Sequence, residues 1–178
     1  MKPIKPMTIA VALAALASPA AADDRYYAYE AEGAAARHRT GDLTLAVARS
    51  LFGGTRATTV FRRRGADLPL TRDERTFPAA ALRAVLRADA GAVSVYAVDA
   101  AAGQGFAQGA CDGSARAWIA MPTPQPYRNL RLHVLKQDPA TRAPVLCETL
   151  EYRWRAEWDV PNRTRLPRED PQAAREPF

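Results

Sequence analysis

Apolar and charged residues alternate most regularly near the end of the chain. From Leu150 to Asp159 every second residue is apolar and every residue between is charged. A period of two predicts a half-buried antiparallel strand with one charged face. The pattern places Tyr152, Trp154 and Trp158 together on the apolar face, where we expect them to anchor the core.

Several other segments carry strand signals, namely aromatic or β-branched residues between turn residues. The clearest are residues 25–31, 55–64, 92–99, 115–121 and 130–134. Residues 43–51 fit a strand and a helix equally well by counting apolar positions. We favour a strand that forms a hairpin with residues 55–63 across Gly53-Gly54.

One segment predicts a helix, residues 77–88. Thr76 can cap it, Pro78 suits its first turn, and Leu82, Val85 and Leu86 form an apolar stripe. Gly91 lies where a helix is expected to have ended.

Three segments lack a clear period. Residues 32–41 predict a loop, and residues 100–109, with three glycines, predict a flexible turn region. Pro122, Pro124 and Pro126 predict a rigid connector outside any sheet interior, since proline has no amide donor.

Together these elements predict an α+β fold that is mostly β. We expect a single domain whose antiparallel sheet, of about six to eight strands, forms a sandwich or a partial barrel with one helix.

The chain of 178 residues begins with the pattern of a cleaved signal peptide. Lys2 and Lys5 precede a short apolar run, and Ala20 to Ala22 supply the small residues that signal peptidase prefers. We therefore expect residues 1–22 to be removed, 23–159 to form the domain, and the proline-rich residues 160–178 to be an extended or disordered tail. The mature chain is expected in the periplasm or outside the cell, with no membrane span.

Charge adds little to this picture. Removing Lys2 and Lys5 with the signal lowers the formal net charge from +6 to +4. Arginine supplies 22 of the 25 basic residues, a skew typical of G+C-rich coding, so the composition does not favour nucleic acid as a partner. In Arg62-Arg63-Arg64, strand alternation would place Arg62 and Arg64 on one face and Arg63 on the other.

The two cysteines, Cys111 and Cys147, predict one disulfide in an oxidising compartment. A less favoured alternative makes Cys111 a nucleophile with His133 as its base. Neither His38 nor His133 has a partner at metal-ligand spacing, so we predict no metal and no cofactor.

The candidate ligand contacts are aromatic. Tyr27, Tyr29, Trp154 and Trp158 could stack against a glycan or another ligand, although strand packing explains the same residues. No motif of a hydrolase, nucleotide-binding protein or metalloprotease occurs, and we assign no catalytic residue.

We therefore expect a non-catalytic binding or structural module whose partner is an envelope protein or glycan. Two alternatives remain open: a hydrolase acting on an envelope polymer, and a protein that binds an anionic polymer.

Overall fold

The computed structural model describes residues 23–49, 54–87 and 93–159. The strands are β1 (Asp23–Glu32), β2 (Leu43–Arg49), β3 (Thr55–Arg62), β4 (Leu68–Arg72), β5 (Val93–Val98), β6 (Trp118–Pro122), β7 (Leu130–Gln137) and β8 (Pro144–Asp159). The helices are α1 (Gly33–Arg39), α2 (Ala79–Leu86) and α3 (Ala100–Ala110). The predicted signal peptide and the predicted tail lie outside the described residues, as do Gly53 and Gly91.

The eight strands form a closed antiparallel barrel in which sequence neighbours pair and β8 returns to β1. β8 closes the ring because it is 16 residues long, so that its first half pairs with β7 and its second half with β1. At this seam Arg25 and Glu157, separated by 132 positions, form an ion pair at 2.6 Å. The prediction of a mostly β, antiparallel fold is confirmed. The prediction of a sandwich is wrong, because the sheet closes into a barrel. Periodicity along a strand identifies its two faces, but it does not identify which distant strand pairs with it.

Large rings occupy the barrel interior, including the fully buried Tyr29, Tyr96 and Tyr152. The Tyr152 hydroxyl lies 2.6 Å from Thr40 Oγ1, and the Tyr96 hydroxyl accepts a hydrogen bond from the Ala57 amide at 3.3 Å. Burial raises the pKa of Tyr152, against the opposing hydrogen bond from Thr40. The Tyr152 hydroxyl therefore stays neutral, and the hydrogen bonds of both hydroxyls help to fix the packing of the core.

The prediction of a single helix is also wrong, because three helices occur in the described ranges. α1 occupies the segment 32–41 and α3 the segment 100–109, both predicted as irregular. Asp99 caps α3 by accepting hydrogen bonds from the amides of Ala101 and Ala102 at 3.0 and 2.9 Å. Of the three glycines that suggested a turn, Gly103 instead allows α3 to approach the barrel closely, since a Cβ atom there would lie 2.3 Å from Val98 Cγ1.

α1 and α3 cover one end of the barrel, where Ala36 and Phe106 join the interior core cluster. We call this the helical end. Cys111 ends α3 and forms a disulfide with Cys147 of β8, with 5.1 Å between their Cα atoms. The predicted disulfide is confirmed, and it attaches the helical cover to the barrel wall.

α2 packs on the outside of the barrel, where Leu82 and Leu86 join a second core cluster with Trp118. It is shorter than the predicted 77–88, and its first cap position is Pro78 rather than Thr76. Thr76 instead donates to Asp73, which also accepts from Trp118 Nε1 at 3.0 Å.

Burial tends to raise the pKa of Asp73, but hydrogen bonds from Thr76, Trp118 and Arg75 outweigh it. The net effect holds the pKa below its usual value. This carboxylate therefore links the loop before α2 to the barrel wall in its charged form.

The ambiguous segment 43–51 is a strand over its described residues, since β2 pairs with β3 along its length. β4 (Leu68–Arg72) was not predicted. Only two of its residues pair with β3 and three with β5, so it is too short for alternation to identify.

Candidate functional site: an aromatic groove on the barrel wall

The structure separates the four residues predicted to stack on a ligand. Tyr27 and Tyr29 are buried inside the barrel, and their rings lie 5.3 and 5.6 Å from that of Trp154 in edge-to-face contacts. Trp154 is partly buried against the same core. Trp158 is 47% exposed and does not share this cluster. Of the four, only Trp158 presents a large ring surface to solvent.

A β-bulge at Arg155 explains this separation. The pairing between β1 and β8 shifts there, from Ala28 opposite Ala156 to Tyr29 opposite Trp154. The additional residue reverses the alternation, because one inserted residue moves all later side chains to the opposite face. The prediction that Trp158 shares a face with Trp154 is therefore wrong.

Trp158 lines a groove of about 540 Å³ on the outer wall. We call it the aromatic groove. It is lined by Ala28, Tyr29, Asp42, Leu43, Thr44, Phe61, Arg62, Arg63, Arg155 and Trp158. Phe61 is 36% exposed, so two of the four large apolar side chains exposed in the described residues lie in this one groove. An apolar surface concentrated in this way is typical of a binding site.

The aromatic side chains extend across neighbouring strands. Trp158 of β8 lies opposite Tyr26 of β1, and Tyr26 lies opposite Ala46 of β2. The small Ala46 lets the ring of Tyr26 approach that of Phe61 on β3, with 6.0 Å between the ring centres. Outward-facing Ala28 and Ala46 are themselves buried, because larger neighbours cover them. Within the groove, short side chains such as Ala28 and Thr44 form a shallow floor beside the rings of Phe61 and Trp158.

Three arginines line the groove, and one of them, Arg62, donates to the Ala66 carbonyl. Arg63 lies 3.9 Å from Asp42 in an exposed pair, which contributes little to stability. Arg155, the bulged residue, has no carboxylate within salt-bridge distance anywhere in the described chain. The groove therefore combines flat apolar rings with guanidinium donors available to a ligand.

Tyr26, Phe61 and Arg155 were not predicted to be parts of this surface. Phe61 fell within the strand predicted over residues 55–64, and Arg155 was one charge on the alternating face of residues 150–159. No local signal could have joined them, since β3 and β8 are distant in sequence and meet through β1 and β2.

The open end of the barrel, opposite the helical end, carries a second exposed ring. Tyr127 is 82% exposed and lies 5.6 Å from the ring of Trp154, at the end of the proline-rich segment. The connector prediction agrees with the position of residues 123–126 between β6 and β7, but Pro122 is instead the last residue of β6, opposite Val93 of β5. The depression beside Tyr127 also contains Trp158 and Arg155, so it adjoins the groove at Trp158, and its other arginine, Arg25, is paired with Glu157.

The residues proposed for catalysis do not converge. His133 is buried on β7, with Nδ1 at 3.1 Å from Thr149 Oγ1, and Cys111 is committed to the disulfide. The four depressions described on the surface contain no histidine except His38, and each contains at most one acid. Across residues 23–49, 54–87 and 93–159, no three His, Cys, Asp or Glu side chains cluster as metal ligands would.

None of the helices in the described ranges is long and apolar enough to cross a membrane. No protein family, curated protein sequence or solved structure matches this chain.

Proposed function

We propose that the protein is a non-catalytic binding module of the cell envelope that holds an acidic glycan in the aromatic groove. One observation carries the proposal: Phe61 and Trp158 expose their rings in the same groove that Arg63 and Arg155 border. The rings suit the apolar face of a sugar, and the guanidinium groups suit carboxylate or phosphate substituents.

The apolar part of the site favours a flat ligand. Its floor consists of short side chains such as Ala28 and Thr44, with Phe61 and Trp158 on opposite sides. A sugar ring lying on this floor would remove aromatic surface from water, at about 25 cal/mol per Å² of apolar area. A branched peptide side chain would need a deeper pocket than this open surface offers.

The charged part favours an acid. Arg155 has no partner to lose, so an incoming carboxylate would gain a charge-assisted hydrogen bond without breaking an existing pair. Arg63 would exchange only its distant contact with Asp42. Because the groove lies on paired strands, little conformational entropy is lost when it binds.

The disulfide supports an extracytoplasmic location, since such bonds persist in oxidising compartments. The signal-like first 22 residues support the same location. An envelope glycan is the ligand of matching chemistry in that compartment.

The test is affinity electrophoresis of the mature domain in gels containing polygalacturonate, an acidic glycan, or dextran, a neutral one. We expect retardation by polygalacturonate that weakens as salt rises, because salt screens exposed charges. Trp158→Ala should weaken binding about tenfold, or ~1.4 kcal/mol, as expected for a central aromatic contact.

Leu146→Ala is the matched control, since Leu146 is 38% exposed on the same strand but outside the groove. Arg155→Gln should weaken binding and reduce its dependence on salt. Equal retardation of Trp158→Ala and wild type, or no retardation by the acidic glycan, would refute the proposal. Crosslinking of Trp158 to an envelope protein instead would assign the groove to a protein partner.

A further inference from the structure

A second basic depression lies at the helical end, apart from the rings of the aromatic groove. It has a volume of about 360 Å³, and we call it the helical-end pocket. It is lined by His38, Arg39, Arg62, Arg64, Gly65, Ala66, Ala102, Gly105, Phe106 and Gly109. Its lining contains four basic side chains and no acid.

Backbone hydrogen bonds bring these residues together. Beyond the end of β3, the Arg63 amide donates to the Asp42 carbonyl at 3.0 Å and the Arg64 amide to the Thr40 carbonyl at 2.9 Å. These bonds hold the Arg62–Arg64 turn against the end of α1. β3 ends at Arg62, so strand alternation does not extend through Arg64: Arg62 lines both the pocket and the aromatic groove, Arg63 lines only the groove, and Arg64 lines only the pocket.

Arg62 is the central residue, because it is half-buried without a counterion. Its Nε and Nη2 donate to the Ala66 carbonyl, with the Nε bond at 2.7 Å, and its guanidinium lies 5.2 Å from the centre of the Phe106 ring. Within the described residues no carboxylate pairs with Arg62 and no acceptor binds its Nη1. Burial lowers the pKa of Arg62, while Asp67 and Tyr152 oppose that effect.

The neighbouring charges do not neutralise the pocket. Arg39 is balanced by Glu148, with Nε to Oε2 at 2.8 Å. Asp67 acts on Arg62 from nearby without forming a salt bridge. Arg64 is exposed and has no acidic partner in the part of the chain that the structure describes. Even with both acids counted against the three arginines, one positive charge remains in excess.

The pocket also has space for a ligand beside these donors. Two glycines one helical turn apart, Gly105 and Gly109, form its wall on α3. A Cβ atom at Gly105 would meet nothing within 4 Å, whereas one at Gly109 would lie 3.1 Å from Arg39 Nη1. Gly65 lets the turn approach Arg62, since a Cβ there would lie 2.9 Å from Nη2.

We propose that the helical-end pocket binds a tetrahedral oxyanion, a free phosphate or a phosphate monoester, between Arg62 and Arg64. Guanidinium groups bind phosphate oxygens through paired charge-assisted hydrogen bonds. Such an anion supplies the counterion that half-buried Arg62 lacks, which offsets the free-energy cost of burying its charge. The site goes beyond the proposed glycan function and would hold if that function were wrong.

The experiment is an NMR titration of the ¹⁵N-labelled mature domain at constant ionic strength, with sodium phosphate replacing sodium chloride. We expect saturable shifts of the Gly65, Gly105 and Gly109 amides. Arg64→Gln should weaken binding about tenfold, because it removes one charged phosphate contact. Gly105→Glu should abolish binding, since it places a carboxylate in open space within the pocket.

Gln104→Glu is the matched control, because it adds the same charge to an exposed neighbour on α3 outside the pocket lining. It should retain binding. The amide spectra of all three variants report folding, so a loss of binding is separable from a loss of structure. Neither Arg64 nor Gly105 lines the aromatic groove, so failure here leaves the glycan test unaffected.

A parallel titration with glucose 1-phosphate distinguishes the sources of the phosphate group. Tighter binding than inorganic phosphate assigns the site to a phosphate on a larger molecule, and equal or weaker binding assigns it to free phosphate. Shifts that rise linearly without saturation, or that Gly105→Glu leaves unchanged, would overturn the proposal.

Discussion

The close contact between α3 and the barrel makes Gly103 the most specific stability test in this fold. A Cβ atom at this position would lie 2.3 Å from Cγ1 of Val98 and 3.9 Å from Leu68 Cδ2. Carbon atoms pack favourably about 3.5 to 4.0 Å apart, so the first contact requires either α3 or Val98 to move. Val98 is buried, and its β-branched side chain cannot rotate away at low cost.

The free-energy change of Gly103→Ala has two opposing parts. Replacing glycine by alanine inside a helix stabilises it by about 0.5 to 1 kcal/mol. Overpacking a core by one methyl group costs about 1 to 3 kcal/mol. We therefore expect a net loss of about 0 to 2.5 kcal/mol in the free energy of unfolding.

Gly105→Ala isolates the steric part. Gly105 lies in the same helix, and an added Cβ atom there meets nothing within 4 Å. Gly105→Ala should therefore raise the free energy of unfolding by the helix stabilisation alone, about 0.5 to 1 kcal/mol. The two variants should therefore differ by the overpacking term, about 1 to 3 kcal/mol. Urea unfolding followed by tryptophan fluorescence measures this difference. The free energy of unfolding falls by about 1 to 3 kcal/mol per molar urea, so a difference of this size shifts the unfolding midpoint by about 1 M. If Gly103→Ala were as stable as Gly105→Ala, the close approach of α3 to Val98 would be refuted.

Two further perturbations test the covalent and electrostatic links of the barrel. Reducing the disulfide between Cys111 and Cys147 opens a loop spanning 36 positions. The free energy of unfolding of the wild-type protein should therefore fall by about 4 kcal/mol when reductant is added. Urea unfolding with and without reductant measures this loss. The control is the variant with both Cys111 and Cys147 replaced by alanine, whose stability should not change with reductant. Asp73→Asn should destabilise the protein at neutral pH. Because the folded pKa of Asp73 is lowered, its stabilisation is present above the unfolded value of about 3.9 and is lost as pH falls through the folded value. The gap between variant and wild type in unfolding scans should therefore narrow below about pH 4; a constant gap would contradict the role of this carboxylate.

Local pattern predicted the strands well where they are long. The alternation gave the correct inner face for Leu130, Leu132 and Val134 of β7 and for Leu150 and Tyr152 of β8, which all lie in the interior core cluster. It failed beyond Arg155, where a bulge that no local rule indicates reverses the faces. It also failed at α3, where glycines that usually mark turns instead serve close packing.

The candidate site was less accessible to prediction than the fold. Trp158 was named as a stacking residue on the expectation that it faced the core with Trp154, and it lies instead on the outer wall. Phe61 and Arg155 reach the same groove only through the order of strands around the barrel. Residues from β3 and β8 become neighbours by long-range pairing, which leaves no trace in either segment alone.

The sequence by itself determined the β-rich character of the chain, the strand periods of its C-terminal half and the pairing of its two cysteines, because each depends on local pattern or simple counting. Only the tertiary structure decided that the sheet closes, that Trp158 faces outward, and that Arg62 is half-buried without a carboxylate paired to it. Those outcomes depend on which distant strands pair and on a single added residue at Arg155. The register of a long-range pair is a property of the whole ring of strands, and the groove and the pocket both follow from it.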